Sequence, residues 1–342
     1  MEPIKTALLS FGMSGRLFHA PFLHLDPGYE LYSVWEREKD LAAAVYPGIR
    51  TVRSLDALLA DDSVELVIVN TPNYTHVEYA RKALLAGKHV VVEKPFADTV
   101  EEALELTQLA EDQGRQLSVY QNRRYDSDFK TVRKVLAERL LGEVAEAELH
   151  FDRFNEALSP KLHKEIPGPG TGLLHDLGPH LIDQALQLFG DPEAVFADLR
   201  IQRPISQVGD YMEILLYYPS FPVRLKAGYL VREALPAYII HGTKGSFLKS
   251  RADVQEKDLQ AGKQPTGPEW GVEPESERGL LHTDTRGYIP SLNGDYRAYY
   301  TALYGAIREG QPLPVTPEEG IRVMRVIDAA IRSSAEKRVI PF

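Results

Sequence analysis

The chain of 342 residues contains no cysteine. Disulfide bonds, thiolate nucleophiles and cysteine-ligated metal sites are therefore excluded. Basic residues are in the minority, with 39 Lys and Arg against 49 Asp and Glu and a formal net charge of -10. Because the chain is acidic and has no basic stripe, the sequence argues against binding of nucleic acid or of an anionic membrane surface.

Long apolar runs are also missing from the sequence. No segment has the roughly 20 consecutive apolar residues that a membrane-spanning helix needs. The first residues, Met1-Glu2-Pro3-Ile4-Lys5, lack the charged-then-apolar pattern of a secretory signal. We therefore expect a soluble cytoplasmic protein, and its length is sufficient for two domains of ordinary size.

The first third of the chain alternates apolar strand-like segments with segments of helical period. Strands are predicted at 4–9, 31–35, 50–52, 64–69, 89–92 and 117–120, and the helical period is clearest at 77–86 and 100–113. The nearly continuous Val, Ile and Leu residues of 64–69 indicate a strand buried on both faces. This α/β alternation predicts a doubly wound parallel sheet, assigned to a dinucleotide-binding Rossmann domain at residues 1–121.

The pattern changes near Gln121. Helices are predicted at 127–139, 173–189, 295–309 and 317–337, and half-buried strands at 143–152, 194–201, 211–218, 223–231 and 237–241. We expect residues 122–342 to form an α+β domain for substrate binding and oligomerisation, with a large, mostly antiparallel sheet. An exposed face of that sheet predicts a homodimer or a higher homo-oligomer. The segment 261–279 is predicted to be a mobile surface loop, with Trp270 covering a site or a subunit contact as the alternative.

A degraded dinucleotide-binding fingerprint follows the first strand, in the segment Ser10-Phe11-Gly12-Met13-Ser14-Gly15. Compared with G-x-G-x-x-G, Ser10 replaces the first glycine, whereas Gly12 and Gly15 keep their places. Gly12 would let the backbone approach the pyrophosphate, and Gly15 would let the helix pack on the strand. The helix N-terminus, with Met13 and Ser14, would offer N–H groups to the phosphates. A plain strand–helix turn is the alternative.

Two further strand ends carry candidate cofactor contacts. Glu36 would bind the ribose hydroxyls and favour NAD, whereas Arg37 would accommodate a 2′-phosphate and favour NADP. The choice stays open, with a slight lean to NAD; both residues could also be solvated. After the fourth strand, Asn70-Thr71-Pro72-Asn73 would line the ligand crevice, with Thr71 and Asn73 as contacts. His76 is either a further contact or a helix-start residue without a ligand.

Glu93-Lys94-Pro95 directly follows the apolar strand 89–92. Pro95 biases Lys94 to an extended conformation, and the buried strand places the lysine at the rim of the crevice. A lysine at this position suits proton transfer beside a cofactor.

Asp176 and His180 lie four residues apart and would share one helix face, which Asp183 extends, if Pro179 lies in the first turn. One alternative is a capping Asp with a packed His. The other is a metal site of His175, Asp176, His180 and Asp183. These residues lack a recognisable zinc spacing, and no metal is predicted.

Four groups of residues together resemble the Gfo/Idh/MocA oxidoreductases over nearly the whole chain: Gly12/Gly15, Asn70-Thr71-Pro72, Glu93-Lys94-Pro95 and Asp176…His180. Two stretches, 14–21 and 120–124, look like the subgroup around NADP-dependent scyllo-inositol dehydrogenases. The resemblance implies a nicotinamide cofactor bound by residues 10–37, 70–76 and 93–95. It also implies catalytic roles for Lys94, Asp176 and His180, and a substrate held at the open end of the antiparallel sheet, between the domains.

The predicted function is an NAD(P)-dependent dehydrogenase or reductase that acts on a secondary carbinol of a sugar, inositol or sugar acid. His180 would be the general base, Lys94 would stabilise negative charge on the substrate oxygen, and Asp176 would orient the substrate or His180. Second-rank substrate candidates are Arg123, Arg153 and His163. A regulatory sensor of dinucleotide or sugar and an NAD-using glycosidase are the alternatives.

Overall fold

The computed structural model describes residues 2–161, 164–233 and 235–342 and divides into two compact units. The first unit comprises Met1–Asn122, Gln255–Trp270 and Asp295–Ile321; the second comprises Arg123–Val254, Gly271–Gly294 and Arg322–Phe342. Neither unit is therefore continuous in sequence. The predicted boundary between independently folding domains after residue 121 stays a prediction, because compactness does not show which segments fold alone.

The first unit contains a six-stranded parallel sheet in the order β3-β2-β1-β4-β5-β6. Its strands are β1 Ile4–Leu8, β2 Tyr29–Trp35, β3 Arg50–Val52, β4 Leu66–Val69, β5 His89–Glu93 and β6 Leu117–Tyr120. All residues of β4 are buried, as its apolar run predicted. The strand order reverses direction between β1 and β4. Ligands bind beyond the carboxyl ends of the strands at such a switch point.

Helices connect these strands, as the doubly wound prediction requires. They are α1 Ala20–Leu25, α2 Leu41–Val45, α3 Leu55–Leu59, α4 His76–Leu85 and α5 Val100–Asp112. Helix α5 begins with a capping box, in which Thr99 and Glu102 each bind the other's backbone N–H. Beyond β6, the helix α6 Ser127–Ala137 belongs to the second unit.

Later segments contribute an aromatic core to the first unit. These segments include the helices α9 Gln255–Gln260 and α10 Arg297–Glu309. Tyr299 and Tyr300 of α10, and Tyr296 directly before it, are fully buried. The loop after α9 is irregular, but Trp270 is only 4% exposed and its indole N–H donates to Gln255 Oε1 at 3.0 Å. The prediction of a mobile excursion was therefore wrong for Trp270, which is a core residue.

The second unit contains a nine-stranded sheet in the order β14-β13-β12-β11-β7-β10-β9-β8-β15. Its strands are β7 Val144–His150, β8 Ala194–Arg200, β9 Tyr211–Tyr217, β10 Pro222–Gly228, β11 Tyr238–Gly242, β12 Gly245–Lys249, β13 Gly279–His282, β14 Arg286–Ile289 and β15 Ile340–Pro341. All pairings are antiparallel except the parallel pair of β7 and β10. This confirms the mostly antiparallel sheet.

One face of this sheet is covered by helices α6, α7 Leu173–Asp176, α8 Gly178–Phe189 and part of α11 Pro317–Glu336. The single helix predicted at 173–189 is divided at Leu177, which ends α7. Pro179 lies in the first turn of α8, where its missing N–H costs no intrahelical bond. Asp176 and His180 therefore lie on different helices and do not share the predicted helix face.

The described ranges contain no helix with enough length and hydropathy to cross a membrane.

Candidate active site

At the switch point of the first unit, Asn70, which follows β4, connects the end of β4 to the end of β1. Its Nδ2 donates to the carbonyl oxygen of Ser10 at 2.8 Å, and Ser10 follows β1. A Cβ at Gly15 would collide with the same carbonyl and would lie 2.7 Å from Asn70 Nδ2. Gly15 is therefore required for close helix–strand packing, the role of the third glycine in the dinucleotide fingerprint.

Gly12 has a different environment. A Cβ there would meet only Ser10 Oγ, at 3.4 Å, so the turn has room above Gly12 in the absence of a ligand. Met13 beside it is 44% exposed. Two buried amide oxygens, Asn70 Oδ1 and Gln121 Oε1, have no hydrogen-bond partner among the described residues. An accessible turn with spare acceptors at the carboxyl ends of β4 and β6 fits a dinucleotide, which presents hydroxyl and amide donors.

Glu93, at the end of β5, connects the turn to the strand. Its carboxylate accepts hydrogen bonds from Ser14 Oγ and from the backbone N–H of Lys94 and lies 3.0 Å from His19 Nε2. Burial alone would raise the pKa of Glu93, but the bonds from His19 and Ser14 and the charge of Lys94 lower it below its usual value. The carboxylate is therefore ionised at neutral pH and places a fixed negative charge beside Lys94.

Lys94 lies at the carboxyl end of β5, as predicted, and is half-buried. The Lys94–Pro95 peptide is cis. His76 packs beneath this turn, with Nδ1 2.8 Å from the Pro95 carbonyl and Nε2 3.0 Å from the Thr71 carbonyl. Burial lowers the pKa of His76. His76 thus connects the two strand-end turns, as expected of a helix-start residue, and its contact with a cofactor stays a prediction.

The other predicted cofactor contacts lie on the same turn. Thr71 Oγ1 lies 2.6 Å from Thr75 Oγ1, Pro72 is exposed, and Asn73 is half-buried at the start of a short 3₁₀ turn. Their contact with a cofactor stays a prediction.

Glu36 has a partner that the sequence did not predict. Its carboxylate accepts backbone hydrogen bonds from Leu41 at 3.2 Å and Ala42 at 3.0 Å, and the residue is 8% exposed. It therefore satisfies the N-terminus of α2, where a negative charge is favourable. The adjacent Arg37 is exposed.

In the second unit, Asp176 ends α7 and pairs with Lys164, whose Nζ lies 2.8 Å from Asp176 Oδ1. His180 is buried in the first turn of α8. His175 faces backbone, with Nδ1 3.0 Å from the Thr171 carbonyl oxygen. Asp183 forms a buried bidentate pair with Arg124, at 2.6 and 2.8 Å.

These contacts bear on the alternative metal site at 175–183. Asp183 and His175 are engaged by a guanidinium and by a carbonyl, respectively. Over the described ranges, no group of three or more His, Asp or Glu side chains is arranged to hold a metal ion.

Two of the second-rank substrate candidates, Arg123 and Arg153, lie around one aromatic ring together with Arg251. The guanidinium carbons of Arg123, Arg153 and Arg251 lie 5.6, 4.9 and 4.1 Å from the centre of the Phe151 ring. Arg123 also pairs with Asp126 at 3.3 Å. His163 lies outside the described residues.

Sequence reasoning missed Lys164, Gln121 and His19. Lys164 lies in a Pro- and Gly-rich connection without a recognisable motif, and only the basic run Lys161-Leu162-His163-Lys164 could have drawn attention to it. His19 belongs to a stretch that the family resemblance included, but its partner Glu93 is distant in sequence.

Comparison with known proteins identifies the family. Residues 4–121 match the oxidoreductase family with an NAD-binding Rossmann fold, and residues 133–342 match its C-terminal alpha/beta domain. The chain belongs to the Gfo/Idh/MocA oxidoreductase family. The predicted family, the fold and the class of an NAD(P)-dependent dehydrogenase acting on CH–OH groups are confirmed.

Several relatives of this family member are similar along their full length. Scyllo-inositol 2-dehydrogenase (NADP(+)) IolW of Bacillus subtilis is 39% identical over 346 residues, covering 99% of this chain and 96% of that protein. The oxidoreductase YvaA of Bacillus subtilis has a TM-score of 0.96 at 38% identity, covering 100% and 99% of the two chains. An oxidoreductase of Bacteroides fragilis has a TM-score of 0.92 at 46% identity, covering 100% of both chains.

Proposed function

We propose that the protein transfers hydride between C4 of a nicotinamide and the secondary carbinol carbon of a sugar, inositol or sugar acid. The observation that carries the proposal is the geometry at the β1–β4 switch point, where Gly15 packs against Ser10 and Asn70 while Gly12 keeps the turn accessible. Membership of the family and the inositol named for the Bacillus subtilis relative support the substrate class.

The proposed roles follow from the chemistry of the side chains. Residues 10–15, 70–73 and 93–95 would hold the cofactor, which supplies the hydride acceptor or donor. His180 would take the hydroxyl proton during oxidation, since imidazole suits proton transfer near neutral pH. Lys94 would donate a hydrogen bond to the oxygen that becomes negative. Asp176 would orient the substrate or His180.

A substrate panel tests the activity. Polyols, inositols, aldoses and sugar acids would each be incubated with NAD and with NADP, and the absorbance of the reduced nicotinamide would be followed. We expect cofactor reduction with at least one polyol, sugar or sugar acid. Cofactor that binds but is not reduced or oxidised with any compound would favour a sensor, and sugar hydrolysis without net cofactor turnover would favour a glycosidase.

We further propose that NADP is the preferred cofactor. The sequence favoured NAD on the assumption that Glu36 reaches the ribose. The contacts of Glu36 with Leu41 and Ala42 give that carboxylate another role and leave the exposed Arg37 to meet a 2′-phosphate. Arg37→Gln should therefore weaken NADP binding and leave NAD binding nearly unchanged. Equal loss with both cofactors, or a wild-type preference for NAD, would contradict this proposal.

We also propose that a second copy covers the open face of the nine-stranded sheet. A row of paired residues crosses eight strands on this face: Tyr288, Leu280, Leu248, Ile239, Glu148, Arg224, Leu215 and Phe196. All of them are partly exposed, and Tyr288 is 64% exposed. A contiguous exposed apolar surface marks an interaction site. The central ion pair of Glu148 and Arg224 could repeat across a two-fold axis.

Light scattering coupled to gel filtration tests the assembly. Leu280→Glu should shift the mass toward the monomer because it places a charge within the apolar row. Leu104→Glu, on an exposed leucine of α5, is the matched control. A monomeric wild-type protein, or an unchanged mass in Leu280→Glu, would contradict the proposed interface.

A further inference from the structure

The segment before α7 is anchored from within its own unit. Arg203, which is 2% exposed, donates to the Ala157 carbonyl at 2.6 Å and pairs with Glu165 at 3.5 Å. Glu165 in turn accepts the backbone N–H of Ser159 at 2.7 Å. The guanidinium is also held by the buried carboxylate of Asp210 at 2.9 Å. This network fixes the backbone on both sides of the described residues Lys161 and Lys164.

Lys164 is directed by this anchor to Asp176. The side chains of the pair are 40% and 30% exposed, respectively. Exposed ion pairs add little to stability, with a median of about 0–1 kcal/mol. The pair therefore contributes little to folding, and we interpret it by the position of the Lys164 ammonium group at the Asp176 carboxylate. Because the Lys164 side chain is partly exposed, a substrate could also reach its ammonium group.

Two further cations lie in the same neighbourhood. The pKa of Lys161 is lowered by partial burial and by the charge of Lys164, against the opposing charge of Asp176. Arg153 lies beside Tyr229 in the chain pairing, since the Arg153 N–H donates to the Gly228 carbonyl at 2.9 Å and the Asn155 N–H donates to the Tyr229 carbonyl at 2.8 Å. Burial raises the pKa of Tyr229, the charge of Asp176 raises it further, and the charges of Arg153 and Arg203 lower it. Arg203 packs on the Tyr229 ring at 4.6 Å. Tyr229 therefore has Arg203 on its ring and Arg153 beside it in the chain pairing.

The charged side chains around the Lys164–Asp176 pair do not balance one another. Arg203 is matched by Asp210 and Glu165. Over the described residues of this group as a whole, four cationic side chains face three carboxylates: Arg203, Lys161, Lys164 and Arg153 against Asp210, Glu165 and Asp176. The surplus is positive although the chain as a whole carries a net charge of -10. Ammonium and guanidinium groups with spare donors bind carboxylate and phosphate groups.

We propose that Lys164, with Lys161 and Arg153, binds an anionic substituent of the substrate, so that the preferred substrates are sugars or polyols bearing a carboxylate or a phosphate. The inference rests on the proposed function, because it names the substrate class of the same site. The substrate anion would compete with Asp176 for the ammonium of Lys164. A neutral polyol offers no such competitor and would be the poorer substrate.

Matched substrates test the proposal. Glucose, glucuronic acid and glucose 6-phosphate, and likewise galactose, galacturonic acid and galactose 6-phosphate, would be compared by kcat/KM with the preferred cofactor. For the wild-type protein, we expect at least one anionic member to exceed its neutral partner by roughly tenfold or more, as a charge-assisted hydrogen bond allows. The carboxylate and phosphate arms distinguish the two sources of the charge.

Four variants at three lysines of the second unit then assign the selectivity. Lys164→Met should lower the ratio of anionic to neutral kcat/KM about tenfold, mainly through KM, and Lys164→Arg should retain most of it. Lys161→Met should also lower the ratio and leaves the pair of Lys164 with Asp176 in place. Lys134→Met, on an exposed pair of α6, is the matched control and should leave the ratio unchanged.

The outcomes separate this inference from the function on which it rests. Turnover that favours neutral members in the wild type overturns the inference and leaves the proposed function intact. The same holds if a folded Lys164→Met protein loses activity equally on both members, because Lys164 would then act only through Asp176. Absence of turnover with every member of this panel and of the wider panel of polyols and inositols overturns both.

Discussion

The two units differ in how their buried ionisable side chains are accommodated. In the first unit, two histidines have lowered pKa values because of burial: that of His76 is lowered although its ring faces two carbonyl oxygens, which oppose the shift, and His89 Nδ1 accepts the Gln116 N–H at 2.9 Å. Burial, with the nearby Arg115, lowers the pKa of His89 to about 4. The second unit instead buries ion pairs: Arg124–Asp183, Arg203–Asp210 and Lys249–Glu273, with every side chain at most 7% exposed.

We propose that this difference corresponds to two kinds of recognition. A dinucleotide is bound largely by backbone N–H groups and by close approach, for which small residues and neutral surroundings are sufficient. Selection among sugars and polyols requires side chains held at fixed angles, and paired charges hold them. The exception in the first unit is the pair of His19 and Glu93, which lies directly beside the predicted catalytic lysine.

The largest expected effect is on catalysis and involves one residue from each unit. Lys94→Ala and His180→Ala should each lower the turnover rate by about 10²–10⁴-fold, since each removes a group placed for charge stabilisation or proton transfer. Binding of the reduced cofactor, followed by its fluorescence, should persist. If the groups act on the same oxygen, the double variant should be little worse than the poorer single variant. Near-normal turnover in either single variant would remove that residue from the mechanism.

The next largest effect is on stability and separates the two units directly. Arg124→Met leaves the buried carboxylate of Asp183 without its partner and should lower the free energy of unfolding by about 3–5 kcal/mol. Arg50→Met removes the more exposed pair with Asp61 in the first unit and should lower the free energy of unfolding far less. Urea unfolding measures both. Similar losses of unfolding free energy in the two variants would show that burial of an ion pair does not determine its contribution to stability.

The two glycines of the turn should separate packing from cofactor access. Gly15→Val forces a shift of the Ser10 carbonyl and should destabilise the protein by at least about 1–3 kcal/mol. Gly12→Val should keep the fold, because its Cβ has room, but should weaken dinucleotide binding. Thermal unfolding and cofactor titration distinguish these effects. Unchanged cofactor affinity in a folded Gly12→Val protein would exclude this turn as the phosphate site.

A smaller effect concerns pH. Because the pKa of His89 is lowered in the folded protein, this histidine takes up a proton more readily in the unfolded chain as the pH falls. The stability that neutral His89 contributes is therefore complete above the usual histidine pKa and is lost as the pH falls toward about 4. The loss should be on the order of 2–3 kcal/mol. His89→Asn should flatten this part of the profile, measured by urea unfolding between pH 7 and 4. An unchanged slope would exclude His89 as its source.

His150 in the second unit should act in the opposite direction and is the smallest effect. Burial would lower its pKa, but the bonds to Asp152 and Glu148, at 3.1 and 3.0 Å, raise it. The stability that protonated His150 contributes is therefore present at pH values below the usual histidine pKa and is lost as the pH rises through its raised pKa. His150→Gln should remove that decline on the alkaline side. A steeper decline in the variant would contradict the assigned charge state.

The sequence by itself determined the fold class, the first sheet and the family. Buried parallel strands are continuous apolar runs, so β1, β4 and β6 could be located within two residues from local composition. Pro179 also marked a helix start, although not the break at Leu177. The glycine turn and Glu93-Lys94-Pro95 carried the family resemblance because their chemistry needs particular residues at fixed spacing.

Tertiary structure decided what depends on distant partners. Strands β12, β13 and β14 are short and contain glycine or polar residues, so they are stabilised by pairing with neighbouring strands and not by a local pattern. Trp270 is buried because Gln255 accepts its N–H, and Glu36 turns to α2 because that helix offers unpaired N–H groups. Lys164 meets Asp176 in the folded chain, where Arg203 binds Glu165 directly beside Lys164. Contacts of this kind are set by the folded backbone, which no local window of sequence contains.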